Sequence, residues 1–258
     1  MTIKTQRLLA RAKKLTKKGH LEEAQRIYLT ILKSSPKNQE AKKDLSILEQ
    51  QKQASLSQNQ LDEVMTLYSS GQIQNALTAI HLLIEAFPNE PLLFNINGAC
   101  YSQIGQIKSA INNFEKAIAL KPNYLEAHYN LGAAYQRINQ LDNAVECYKK
   151  AIILKHAYPE AHNNLGIIML ELNQLDVAVK SFEWAVAYSP NYAEAYNNLG
   201  AVFQELNQFD KAIKQYKKAV IINPEYAQAF NNLGCSCEIL GLKDEALIHY
   251  EKAIACNP

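Results

Sequence analysis

The sequence predicts an all-α fold built as a right-handed superhelical solenoid, and three observations carry that expectation. A short motif returns every 34 residues: His128-Tyr129-Asn130-Leu131-Gly132-Ala133-Ala134-Tyr135 is echoed at His162 to Met169, Tyr196 to Phe203 and Phe230 to Cys237. Twelve residues beyond each glycine comes Ala-x-x-x-aromatic, at Ala144/Tyr148, Ala178/Phe182, Ala212/Tyr216 and Ala246/Tyr250. Proline then closes most units, at Pro122, Pro190, Pro224 and Pro258. A fixed period of this size describes stacked helical hairpins sharing one continuous core.

From the N-terminus, Gly19, Leu21, Ala24, Tyr28 and Pro36 place a degenerate repeat-like hairpin at about 5–38. A further helical run from Glu40 to Gln53 is half a repeat too many, and polar residues from Ala54 to Gln60 follow it, so a hinge or register break is expected there. Residues 1–56 thus form a basic helical lobe. Gly71, Ile73, Ala76, Ile80 and Pro88 mark a weak unit at 57–90 whose first helix matches the pattern poorly. Five regular units follow, at 91–124, 125–158, 159–192, 193–226 and 227–258.

Within each regular unit the first helix carries an apolar column at i, i+3, i+4, i+7, as in His128, Leu131, Gly132 and Tyr135. Gly132, Gly166, Gly200 and Gly234 sit inside helices at a cost of about 1 kcal/mol each relative to Ala. A close approach by a neighbouring helix is therefore expected at each, with small Ala144, Ala178, Ala212 and Ala246 serving the same approach from the second helix. Turns at Gly105-Gln106, Asn139-Gln140, Asn173-Gln174, Asn207-Gln208 and Gly241-Leu242 suit the left-handed backbone that ends a helix. Asp142, Asp176, Asp210 and Asp244 then fall where capping and the helix dipole favour a carboxylate. Two departures stand out: His156 replaces the closing proline ahead of Tyr158-Pro159, and Asn97 puts an amide where Leu131 and its equivalents are buried.

The combined pattern, aromatic-x-x-Leu-Gly-x-x-Tyr, then Ala-x-x-x-Phe, then Pro, resembles the tetratricopeptide repeat. That resemblance implies paired antiparallel helices, and a scaffold whose concave groove, lined by the first helices, holds partner peptides.

Composition adds exclusions. With 20% charged residues and a net charge of +2, no collective field selects a partner, although residues 1–56 hold 13 Lys and Arg against 5 Asp and Glu, leaving 14 against 20 for the remainder. The basic stretch Lys13, Lys14, Lys17 and Lys18 lacks interleaved aromatics and reads as a solvated helix face rather than a nucleic-acid site. The longest uncharged run, Pro91 to Ile107, contains Asn95, Asn97, Ser102, Gln103 and Gln106 and does not read as a membrane span. The N-terminus lacks the apolar segment of a secretory signal, so a cytoplasmic location is expected. Cys100, Cys147, Cys235, Cys237 and Cys256 form no Cys-x-x-Cys pair and read as reduced core residues. Cys235 and Cys237, two apart on a helix, point about 200° from each other and suit no shared metal. No phosphate loop, metalloprotease or nucleophile-elbow motif occurs, so no catalytic residue, metal, cofactor or small-molecule substrate is expected. His128 and His162 share a column with Tyr196 and Phe230 and read as apolar wedges, and Trp184 as packing between units.

What remains is the other face of each first helix. Spacing i, i+4, i+7, i+11 aligns Glu126/Asn130/Ala133/Arg137, Glu160/Asn164/Ile167/Glu171, Glu194/Asn198/Ala201/Glu205 and Gln228/Asn232/Cys235/Ile239. An amide donates and accepts, so a ladder of Asn130, Asn164, Asn198 and Asn232 suits capture of an extended peptide backbone. Four such bonds at about 1 kcal/mol each amount to roughly millimolar affinity. The alternative reading is that these amides bridge adjacent units. Family members that hold the acidic tails of chaperones carry Lys or Arg in the groove; here Arg137 stands among Glu126, Glu160, Glu171, Glu194 and Glu205, which points away from such tails. Asn directly before Leu-Gly also resembles the superhelical arm of protein O-linked N-acetylglucosamine transferases. The expected function is a non-catalytic scaffold for a protein or extended peptide; the alternative is the substrate-recognition arm of a larger glycosyltransferase. Leu247, Tyr250 and Ile254 on the uncapped final helix pair predict either a surface offered to a partner, a second copy included, or continuation of the protein beyond Pro258.

Overall fold

A computed structural model describes residues 3–18, 20–53 and 56–256. Gly19, Ala54, Ser55 and Pro258, used above as landmarks, lie outside the described residues. Fifteen α-helices and no strand occur among the described residues. They divide into two compact units, Met1–Leu93 and Phe94–Pro258.

In the first unit, α1 (Ile3–Lys17), α2 (Leu21–Ser34) and α3 (Gln39–Gln53) close on Leu9, Ala12, Ala24, Tyr28, Ile31, Ala41, Leu45 and Leu48. Lys13 does not face solvent as a free cation, because its Nζ lies 2.7 Å from Glu40 and 3.6 Å from Asp44, tying α1 to α3. Helices α4 (Gln58–Ser69) and α5 (Ile73–Ala86) bury Val64, Ile73, Ala76, Leu77 and Ile80. Helix α4 begins inside the polar run that ends at Gln60, at the start of the weak unit placed at 57–90. The reason is a capping box: the Gln60 N–H donates to Ser57 Oγ at 3.3 Å while Gln60 Oε1 accepts from the Ser57 N–H at 3.0 Å.

Helix α6 (Pro91–Gln103) leads into the second unit, which continues through α7 (Ile107–Leu120), α8 (Leu125–Arg137), α9 (Leu141–Leu154) and α10 (Pro159–Glu171). Then come α11 (Leu175–Tyr188), α12 (Ala193–Glu205), α13 (Phe209–Ile222), α14 (Ala227–Ile239) and α15 (Lys243–Cys256). From α7 onward each helix packs on the next, and one buried cluster runs without a break from Ala144 to Ala246. Asn139, Asn173 and Asn207 adopt φ of 58°, 57° and 58°, the left-handed turns their sequence suggests. Asp142, Asp176 and Asp210 lie in the first turns of their helices, but the N-caps are Gln140, Gln174 and Gln208, which make no side-chain cap bond. These carboxylates therefore act through the helix dipole and not as caps.

The helical glycines have a specific neighbour. A Cβ added at Gly132, Gly166, Gly200 or Gly234 would lie 2.9, 2.7, 2.6 or 2.8 Å from the ring of Tyr148, Phe182, Tyr216 or Tyr250. The close approach is thus made by the aromatic of the unit's own second helix, seated in a notch that glycine leaves open. Where the ring is Tyr, its hydroxyl bonds the residue twelve earlier: Gln136 at 3.1 Å, Gln204 at 3.2 Å and Glu238 at 2.8 Å. Asn97, the amide in a leucine column, is buried at 4% exposure and donates to Asn113 Oδ1 at 2.9 Å. Its own Oδ1 is buried without a partner, so the substitution is only half compensated.

Candidate peptide groove

The stripe residues sit on α8, α10, α12 and α14, the first helices of successive units, with their exposed members one helical face away from the buried leucines. Glu126, Glu160, Glu194, Gln228, Arg137, Glu171 and Glu205 are exposed; Asn130, Asn164, Asn198, Asn232 and Ala133 are half-buried.

Each of the four amides reaches back to the unit before it. Asn130 Nδ2 donates to Asn95 Oδ1 at 3.1 Å, Asn198 Nδ2 to Asn163 Oδ1 at 3.1 Å and Asn232 Nδ2 to Asn197 Oδ1 at 3.0 Å. Asn164 differs: its Nδ2 meets the hydroxyls of Tyr129 and Tyr148, both at 3.2 Å. The acceptors Asn163 and Asn197 are almost fully buried, at 0% and 2% exposure, so this seam satisfies polar groups that burial would otherwise strand. Asn163 also donates to Glu194 at 3.3 Å, which draws one stripe carboxylate into the seam. In the last unit Asn231, the residue matching Asn163 and Asn197, is exposed.

Sequence reading found the donors but missed the acceptors, although a signal was present: Asn-Asn pairs at 163–164, 197–198 and 231–232 repeat with the period. A primary amide has two N–H groups and a carbonyl. After the seam bond, Asn130, Asn198 and Asn232 each keep one N–H and the carbonyl for another partner. Asn164, with both hydroxyls on its nitrogen, keeps acceptor capacity alone.

Electrostatically the face is one-sided. Arg137, the stripe's single cation, donates to the Ser102 carbonyl at 2.6 Å and to Ser102 Oγ at 3.1 Å, bridging to the preceding unit. Glu126, Glu160, Glu171, Glu194 and Glu205 form no ion pair among the described residues. Phenols line the same region. Tyr129 packs against Tyr148 and Tyr158 with ring centroids 5.7 and 5.1 Å apart. Burial raises the Tyr129 and Tyr192 hydroxyls above the ordinary phenol value and pushes Tyr158 up to about 12, so all three remain neutral donors at physiological pH.

The histidines read as wedges prove to be fasteners at the turns between units. His128 Nε2 lies 2.8 Å from the Pro122 carbonyl and His162 Nε2 lies 2.9 Å from the His156 carbonyl, so each ring donates from that nitrogen. Trp184 stacks on Tyr188 at 5.4 Å and meets His156 at 5.3 Å, packing across the turn where His156 stands in for proline; it nonetheless remains 46% exposed. None of the described helices is long and apolar enough to cross a membrane.

Stacked helical hairpins with aromatic-into-glycine notches and an inter-unit amide seam define a repeat solenoid. Sequence profiles agree: those of the TPR repeat match residues 98–139, 137–172 and 168–207, and those of the tetratricopeptide repeat match 193–226 and 227–258. The chain belongs to the tetratricopeptide repeat family. A crystal structure of MamA is 31% identical, superposes with a TM-score of 0.59, and covers 62% of this chain and 93% of its own. MamA from Desulfovibrio magneticus RS-1 is 23% identical with a TM-score of 0.60, covering 64% of this chain and 94% of its own. YrrB, described as a TPR protein with an unusual peptide-binding site, is 23% identical with a TM-score of 0.59, covering 70% of this chain and 93% of its own. No curated protein matches.

Proposed function

We propose that this protein is a non-catalytic interaction scaffold that holds an extended, basic segment of a partner protein along the face formed by α8, α10, α12 and α14. Membership of a repeat family whose members act as protein-interaction scaffolds supports the general role. The observation that carries the specific reading is the charge imbalance of that face: five carboxylates without ion-pair partners, and a single arginine already bonded to Ser102. Lys or Arg side chains spaced along a strand would meet Glu160, Glu171 and Glu205, while the remaining amide groups of Asn130, Asn198 and Asn232 pair with backbone. The peptide-binding site that YrrB is described as having is a parallel for such capture on the same fold.

The test compares labelled extended peptides rich in Lys and Arg with matched peptides rich in Asp and Glu. The basic series should bind more tightly, lose affinity as salt is raised, and weaken about tenfold or more in a Glu160→Lys/Glu171→Lys/Glu205→Lys variant, since each exposed charge contributes ~0.2–1 kcal/mol in one sign and opposes binding in the other. Equal binding of the acidic series, or indifference to the triple reversal, would overturn the reading.

A further inference from the structure

The last hairpin brings together three metal-ligating side chains that no repeat requirement explains. Cys237 on α14 and Glu245 and His249 on α15 each offer a ligand atom, and these atoms all lie within 4.8 Å of one another. Glu245 and His249 are four apart and share one helical face, turned toward the facing helix that carries Cys237. The matching positions one period earlier are Phe203, Lys211 and Gln215, and two periods earlier Met169, Val177 and Ser181. The earlier units therefore fold without this constellation.

His249 supplies the independent sign of a ligand. Its Nδ1 is buried and has no hydrogen-bond partner, an expensive condition for a ring nitrogen. Phe230 stacks on the ring at 6.3 Å and 24°, restricting its orientation. A ring nitrogen with no partner on the protein has a lone pair to offer a metal when the imidazole is neutral. Cys237 is fully buried at the foot of the cluster, and a metal would bind it as the thiolate.

We infer that Cys237, Glu245 and His249 form a zinc site, three protein ligands with a fourth position open to water or to a partner's side chain. A thiolate and an imidazole select a borderline-soft ion such as zinc over magnesium or calcium. Tetrahedral zinc with bonds of about 2.0–2.3 Å sets its ligand atoms about 3.3–3.8 Å apart, so the set closes by roughly 1 Å on binding. The exposed Glu245 side chain provides that movement. Zinc enters by replacing the Cys237 S–H proton, which leaves to solvent, and the thiolate and carboxylate charges then balance the dication. Lys217 lies 3.7 Å from Glu245 Oε2, so zinc would share the Glu245 carboxylate with this ammonium group. The Cys235–Cys237 pair set aside on helical geometry stays set aside, because the ligands come from both sides of the turn.

The experiment is calorimetric titration of the full chain, stripped of metal and kept reduced, with Zn²⁺, alongside Co²⁺ absorption to detect a metal–thiolate bond. The expected result is one zinc per chain with proton release, and a Co²⁺–thiolate band lost in Cys237→Ser but retained in Cys256→Ser. Because Gln215 occupies the matching site of a folded unit, His249→Gln should fold and yet bind zinc at least about tenfold more weakly, as should Glu245→Gln. Absence of stoichiometric zinc binding, or a site that survives His249→Gln unchanged, would overturn the proposal.

Discussion

Replacing Gly200 by Ala sets two opposed effects against each other with known sizes. Alanine in a helix interior is favoured over glycine by about 1 kcal/mol. At Gly200, however, the new methyl would lie 2.6, 2.7 and 2.9 Å from three atoms of the Tyr216 ring, where ordinary carbon contacts need at least 3.4 Å. The ring cannot swing away easily: Tyr216 is 1% exposed and its hydroxyl is bonded to Gln204 at 3.2 Å. Relief of about 0.8 Å must come from separating α12 and α13, and overpacking of this kind costs ~1–3 kcal/mol, with a fully buried ring at the upper end. The net expectation is a loss of about 1–2 kcal/mol, and a smaller loss at Gly132, where the nearest approach is 2.9 Å. Urea unfolding followed by circular dichroism measures both, with hydrogen exchange to confirm that the damage is centred on the α12–α13 hairpin. An unchanged or raised midpoint for Gly200→Ala would refute the notch argument.

Three further outcomes are expected. Asn198→Ala removes the donor that satisfies the buried Asn163 carbonyl, so it should lower stability by about 1–3 kcal/mol in denaturant titration; a neutral effect would mean that the seam bond contributes nothing. Asn173, at φ 57°, should tolerate Gly, whereas Asn173→Ala should lower the melting temperature by the equivalent of about 1 kcal/mol; equal melting of the two would remove the left-handed backbone as the reason for Asn. Burial, together with the neighbouring His156, depresses the folded-state pKa of His162 below the ordinary histidine value of 6.5 despite the bond to the His156 carbonyl. The unfolded chain then binds the proton more readily, so the stability His162 contributes is present above pH 6.5 and is lost as pH falls toward the folded-state value. His162→Phe, the side chain found at Phe230, should flatten that part of the pH–stability curve, and an identical slope in the variant would exclude His162 as its source.

Much of this architecture was legible because it is periodic. A 34-residue echo makes each residue its own control: Asn139, Asn173 and Asn207 recur at one turn, and all three adopt the same left-handed φ. The same comparison would have revealed more. Tyr148, Tyr216 and Tyr250 go with Gln136, Gln204 and Glu238 twelve residues earlier, whereas Phe182 goes with Leu170, and that matching is the trace of a hydrogen bond. The start of α4 has a different kind of signal: Ser57-x-x-Gln60 looks merely polar in composition, and its meaning lies in two reciprocal hydrogen bonds between side chain and backbone.

The charge pattern of the candidate groove was also present in the sequence, since the helical period alone puts Glu126, Glu160, Glu171, Glu194 and Glu205 on first helices. The state of its amides was not. Whether Asn130, Asn164, Asn198 and Asn232 face a ligand or bridge adjacent units depends on residues 35 or 16 positions away. The sequence by itself therefore determined the class of fold, the positions of the turns and the sign of the exposed face, because local backbone preference and helical period decide those. Tertiary structure alone decided that one N–H of Asn130, Asn198 and Asn232 and both of Asn164 are already engaged, that Arg137 is tied to Ser102, and that Cys237 lies within 4.8 Å of His249. Those outcomes depend on how one helix seats against the next, and a one-dimensional period carries no distances between helices.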